Sequence, residues 1–148
     1  MMDLPDPTQQ IWWHGGRAPL DAIDWHHPVN GGLHLGTLAQ ARHRGRFLSA
    51  FRVRPGSTFL RTRDEHDGWA KNARRWKRSA EGAIYLNRTE GIQDLSIDWG
   101  RVDRLSDEAF AKAVPEAAFS LCVWRPHALV GLSTEEAQAA LTDLMEPA

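Results

Sequence analysis

Residues 11–16 read Ile-Trp-Trp-His-Gly-Gly, and residues 32–37 read Gly-Leu-His-Leu-Gly-Thr, with fifteen residues between them. Gln10–His14 is apolar and aromatic enough for a strand, which Gly15-Gly16 would end. Residues 17–31 keep no periodicity and contain Pro19, Pro28 and Gly31, so they read as a long loop. Gly32–Gly36 reads as a second short strand. Thr37 then has the chemistry of an N-cap for a helix through Arg44, halted by Gly45. A histidine at a strand end followed by two glycines leaves the backbone open to a ligand that a side chain would block. A strand running into a helix start places further backbone donors beside it.

Outward from this stretch, Phe47–Arg54 alternates in part and reads as a strand stopped by Pro55-Gly56. Thr58–Arg61, Ala83–Asn87 and Phe119–Trp124 read as further strands. Gly68–Ser79 reads as a basic amphipathic helix with Trp69, Ala73 and Trp76 on one stripe. Asp107–Ala113 is a short helix. Ser133-Thr134-Glu135-Glu136 has the capping-box pattern and opens a last helix whose inner face is Ala137, Ala140, Leu141 and Leu144. Short strands with dispersed helices and no strand–helix–strand rhythm predict an α+β fold. Residues 1–10, with two prolines and little apolar content, are expected as a flexible arm before a single domain at 11–148.

Composition narrows the classes further. The 148 residues are 42% hydrophobic and 25% charged, which excludes wholesale disorder. No apolar run approaches the roughly 18 residues of a bilayer span, so no membrane role is expected. One cysteine, Cys122, excludes an internal disulfide framework and fits a reducing, cytoplasmic setting. The formal net charge of −1 conceals an asymmetry: residues 42–88 hold thirteen Lys/Arg against four Asp/Glu. Their balance of +9 is offset by −10 over the rest of the chain. A basic middle points to an anionic ligand such as a phosphate, a dinucleotide or nucleic acid, or else is a solvated face balanced by acidic neighbours. Seven tryptophans against one tyrosine point to pockets and stacking surfaces as well as to core.

Four motifs in order, Trp13-His14-Gly15-Gly16, Gly32-Leu33-His34-Leu35-Gly36-Thr37 with Ala41, Ile84-Tyr85-Leu86-Asn87-Arg88-Thr89-Glu90-Gly91, and Ser120-Leu121-Cys122-Val123-Trp124-Arg125-Pro126 with Ala128-Leu129, carry a resemblance. Together they resemble the ADP-ribosyltransferases, in particular the small bacterial and phage-associated branch with diphtheria-toxin-like and poly(ADP-ribose)-polymerase-like histidine motifs. The resemblance spans about Ile11 to Leu132. It implies split antiparallel sheets with flanking helices and a cleft for nicotinamide adenine dinucleotide (NAD) between them. By the same resemblance His14 would bond a ribose hydroxyl, and the backbone of Gly15, beside Gly16, would grip the nicotinamide carboxamide. His34 would wall the nicotinamide slot. Arg17 is the candidate for the diphosphate, and His43 or Trp25 for the stacking ring. Polymerase-like members place a glutamate where this chain has Ser120, which leaves substrate positioning to the serine and the catalytic role to Glu90.

The chemistry explains the need for an acid. Cleavage of the N-glycosidic bond builds oxocarbenium character on the ribose, and a nearby carboxylate stabilises that charge more than it stabilises the ground state. Arg74, Arg75, Lys77 and Arg78 are candidates for holding a macromolecular target, protein or nucleic acid. The branch further implies a bacterial toxin or effector, delivered into a target cell or met by an antitoxin or immunity protein. Three other readings compete: a nucleic-acid-binding module using residues 42–88 with a vestigial cleft, an NAD glycohydrolase, and a protein-binding domain. Each residue also has a plainer role, His14 as a satisfied strand-end histidine, Glu90 as a solvated acid, and Tyr85, Cys122 and Trp124 as core. His14, His26, His27 and His34 raise zinc, but no accompanying Cys pair or H-E-x-x-H spacing supports a metal, and none is expected.

Overall fold

The computed structural model describes residues 3–20, 32–64, 69–76 and 78–145. Two sheets and five α-helices are formed among the described residues, a mixed α+β architecture. The first sheet has the order β1 (Trp12–Gly16), β3 (Phe47–Val53), β7 (Leu129–Gly131), antiparallel throughout. The second has the order β2 (Leu33–Leu35), β6 (Phe119–Val123), β5 (Gly82–Leu86), β4 (Phe59–Arg61). The helices are α1 (Leu38–Arg44), α2 (Trp69–Trp76), α3 (Trp99–Val102), α4 (Asp107–Ala113) and α5 (Thr134–Met145).

The second sheet corrects the expectation of purely antiparallel sheets, because β4 pairs with β5 in parallel. The chain between them carries α2, and a helical crossover is what lets consecutive strands run the same way. One strand–helix–strand unit is therefore present where none was read.

Alternation along the strands sorts the core. Trp12, Phe51, Val53 and Leu129 of the first sheet pack with Leu33, Leu35, Ile84, Leu121 and Val123 of the second. Each large side chain buried here contributes roughly 1.5–3 kcal/mol. The opposite face of the second sheet, Ala83, Tyr85 and Cys122, is covered by Trp69 of α2. The opposite face of the first, Trp13 and Ala50, meets Ala41 of α1 and Ala137, Ala140 and Leu141 of α5. Leu144, expected on that inner face, is 60% exposed. The Ser133–Glu136 capping box forms as read, each side chain meeting the other's backbone N–H.

Within the segment read as an arm, Pro7–Gln9 is a 3₁₀ turn capped by Asp6, and its Pro7 carbonyl accepts the Trp12 indole N–H at 2.8 Å. Gly15 and Gly16 do not end the first strand, since they pair with Leu48 and Phe47. Gly15 is needed for packing: a β-carbon there would lie 1.8 Å from the Ala41 carbonyl oxygen. The helix, not an incoming ligand, takes up that space. Gly15→Ala is therefore expected to cost at least about 2 kcal/mol through overpacking, measured by urea unfolding. Gly100→Ala, on α3 with its nearest atom 3.6 Å from the new carbon, should be neutral or slightly stabilising.

Candidate functional site

Among the described residues, one backbone bridge joins the two sheets. Trp13 and Gly36 exchange backbone hydrogen bonds of 2.8 and 2.9 Å, and β1 and β2 part beyond it. Backbone groups of a strand face its two neighbours alternately. Trp13 faces β2, so Gly15 two residues on turns its amide and carbonyl to the same side, past the last bridge.

Helix α1 begins beside this parting. The Thr37 side chain accepts from the Gln40 amide at 3.2 Å, and the Gln40 side chain accepts from the Thr37 amide at 3.0 Å. This capping box fixes the helix start, and seven residues later the helix delivers Arg44 over the turn that follows β5. There Arg44 forms a two-pronged ion pair with Glu90 through Nε and Nη2.

The turn holding Glu90 is itself built to hold it. The Asn87 carbonyl oxygen Oδ1 accepts the amides of Thr89 and Glu90 at 3.0 and 2.9 Å. The Asn87 amide nitrogen donates to Glu90 Oε1 at 2.9 Å and to Ser120 Oγ at 3.0 Å. Ser120 Oγ in turn donates to Gln40 Oε1 at 2.7 Å. Buried Arg88 ties the turn to the carbonyl of Leu105 at 2.7 Å and to Asp107 at 3.0 Å. Gly91, with φ of 76°, ends the turn in the left-handed region that glycine favours. Glu90 is thus a half-buried carboxylate in a fixed direction, and the reading of it as a solvated acid falls.

Above this network lies a cleft of about 280 Å³ lined by His34, Arg44, Trp69, Tyr85, Asn87 and Glu90, with Asp64, His43 and Thr89 at its edges. His34 Nδ1 lies 3.0 Å from the Tyr85 hydroxyl. The His34 and Trp69 rings meet edge-on at 5.3 Å, and those of Trp69 and Tyr85 are tilted at 4.6 Å. A void of about 10 Å³, the size of one water, opens below between Trp13, Gln40, Glu90 and Ser120.

Charge in the site is concentrated in one pair. Burial alone would raise the Glu90 carboxyl, but the Arg44 guanidinium and the Asn87 amide outweigh it and hold the group below its ordinary value. Burial likewise opposes charge on Arg44, and Glu90 reverses the balance. Burial, with Arg44 adding to it, lowers His14 to about 4 and His34 to about 3, so both rings are neutral at pH 7. Burial pushes the Cys122 thiol up to about 12, which removes it as a nucleophile.

His14 is 9% exposed, and its Nδ1 has no hydrogen-bond partner among the described residues. It lies near enough to Arg44 and His34 for their charges to interact. A buried polar nitrogen left unpaired costs about 1–3 kcal/mol, and an incoming donor or acceptor would relieve it. For Nδ1, the reading of a satisfied strand-end histidine does not hold.

Of the residues singled out from the sequence, His34 and Glu90 line the cleft and His14 stands beside it. Ser120 is buried below and spends its hydroxyl on Gln40 and Asn87, so it reaches the cleft only by orienting Asn87. Gly16 stays in the ladder, and Arg17 is exposed past the end of β1, away from the cleft lining. Arg74, Arg75 and Arg78 are exposed on or after α2. Lys77, Trp25, His26 and His27 lie outside the described residues. Arg44, Asn87, Gln40 and Trp69 were missed as site residues, and Tyr85 was read as core. Asn87 three residues before Glu90 was the one local signal, an Asx turn aimed at the acid. Among the described residues, no group of three or more His, Cys, Asp or Glu is arranged to hold a metal ion. No helix among them is long and apolar enough to cross a membrane. Comparison with protein-family models, curated proteins and solved structures finds no match to this chain.

The buried histidines make stability depend on pH. Their folded values lie below the ordinary 6.5, so as pH falls the unfolded chain takes up protons first. Stability should therefore fall from pH 6.5 down to about 4 for His14 and about 3 for His34. The slope is at most about 1.4 kcal/mol per pH unit for each ring. Urea unfolding at several pH values should show this decline, and His14→Gln should make it shallower. Stability independent of pH across that window would mean that both rings are solvated.

Proposed function

We propose that the chain is an ADP-ribosyltransferase that cleaves the nicotinamide–ribose bond of NAD at the cleft beside β1 and β2. The observation that carries this reading is the convergence on Arg44 of the fixed carboxylate Glu90, which it pairs, and the buried His14, whose charge it opposes and whose Nδ1 is unpartnered. Motif order in the sequence and this convergence in space are independent supports. The cleft volume suits a nicotinamide riboside moiety, with the remainder of the dinucleotide lying outside it.

In this reading the Gly15 amide and carbonyl meet the nicotinamide carboxamide, whose paired donor and acceptor match one backbone unit. Neutral His14 bonds a ribose hydroxyl through Nδ1. His34, held by Tyr85 and Trp69, walls the ring. The bond between the ribose anomeric carbon and the pyridinium nitrogen breaks, and its electron pair leaves with nicotinamide as the neutral base. Positive charge developing on the sugar is stabilised by Glu90. A lone pair of the acceptor forms the new bond to the anomeric carbon, and the acceptor's proton passes to Glu90. Arg44 keeps the carboxylate ionised until that step. With water as the acceptor the same sequence yields free ADP-ribose, so an NAD glycohydrolase differs only in what enters last.

Incubation with nicotinamide-labelled NAD tests the proposal. Nicotinamide release is expected from the native chain, with a loss of at least about a hundredfold in His14→Ala and in Glu90→Gln. Ser120→Ala should lower the turnover number about tenfold with little change in KM, because it loosens Asn87 without touching substrate. Absence of both NAD binding by calorimetry and nicotinamide release overturns the assignment.

A further inference from the structure

The segments whose inner residues line the cleft carry arginine on their outer surface. Arg42 is exposed in the last turn of α1, ahead of Arg44, and Arg46 is exposed just beyond it. Arg63 is exposed immediately before Asp64. On α2, Trp69 turns inward to the cleft while Lys71, Arg74 and Arg75 are exposed, and Arg78 is exposed beyond the helix. These are six arginines and one lysine, in a chain whose formal net charge is −1.

Their arrangement has a direction. Helix α2 starts at the cleft with Trp69, and at 1.5 Å per residue Lys71, Arg74 and Arg75 stand about 3, 8 and 9 Å further along its axis. Exposed cations therefore follow one another along α2 from the end that reaches the cleft, and α1 and Arg63 bring further cations from their own segments. Guanidinium groups bind phosphate bidentately, and cations repeated along one helix suit the repeating charge of a phosphodiester backbone. Arg46 and Arg75 also lie against the Phe47 and Trp76 rings, at 5.1 and 5.8 Å from the centroids, which holds each partly ordered. An acceptor must reach the mouth of this cleft beside the bound nicotinamide riboside, which a splayed base or sugar of an unpaired strand can do and a stacked duplex cannot.

We infer that the acceptor presented to this cleft is single-stranded nucleic acid, held by its phosphates along α2 and the end of α1. The word acceptor rests on the transferase reading; the binding surface does not.

Fluorescence anisotropy of the full chain with a labelled oligonucleotide of about 12 nucleotides, RNA and DNA in turn, is the test. Four phosphate contacts predict an affinity about fiftyfold weaker at roughly 200 mM than at 50 mM salt. The double variant R74E/R75E should bind at least tenfold more weakly while keeping its thermal midpoint. Transfer of label from adenine-labelled NAD to the oligonucleotide completes the expected result. Equal affinity for polyglutamate, tighter binding of duplex than of single strand, or unchanged affinity in R74E/R75E overturns the inference. Nicotinamide release without oligonucleotide binding overturns it alone and leaves the transferase standing. Oligonucleotide binding without nicotinamide release removes the transferase, and with it the acceptor role.

Discussion

Helix α1 lies against β1 so closely that, at Gly15, backbone meets backbone with no side chain between. That approach sets the position of the polar groups that α1 carries to the cleft. From one rigid helix, Gln40 points down to Ser120 and Arg44 points across to Glu90. A helix displaced outward by the width of one methyl group would carry both away from their partners. The capping box at Thr37 and the Gly45 amide bonded to the Ala41 carbonyl at 3.3 Å fix the two ends of the same element.

The cost of gathering these groups is offset by neutralisation. Two charges removed from water lose several kcal/mol of hydration each, and they are retained only where geometry and further hydrogen bonds compensate. Arg44 and Glu90 meet that condition with a two-pronged contact and the Asn87 amide on the same carboxylate. The two histidines meet it by giving up their charge. Only the Nδ1 atom of His14 is left without compensation among the buried side-chain atoms of the described residues. The Glu90 carboxylate is accordingly held ionised and in one direction.

Much of this was legible along the chain. His14, His34 and Glu90 each stand in a short local pattern, a histidine before paired glycines, a strand before a capped helix, and an Asx turn. Such patterns are set by neighbours in sequence and survive without knowledge of the fold. Arg44 offered no such signal, because an arginine in a helix's last turn is ordinary and its partner is 46 residues away. Gln40, 80 residues from Ser120, was equally silent. The three-residue strand β7 and the four-residue helix α3 are too short for any period to register. The parallel pairing of β4 and β5 was missed because strand direction depends on where the intervening helix packs.

By itself the sequence determined the mixed α+β class, the helix caps at Thr37 and Ser133, the inward Trp69 of α2 and the acid in the Asn87 turn. These follow from residue chemistry acting over one or two turns of chain. Tertiary structure alone decided that Gly15 serves a helix contact, that Ser120 supports Asn87 from below, and that Arg44 closes on Glu90. Those outcomes depend on which surfaces exclude water against each other, and burial of that kind is a property of the folded whole.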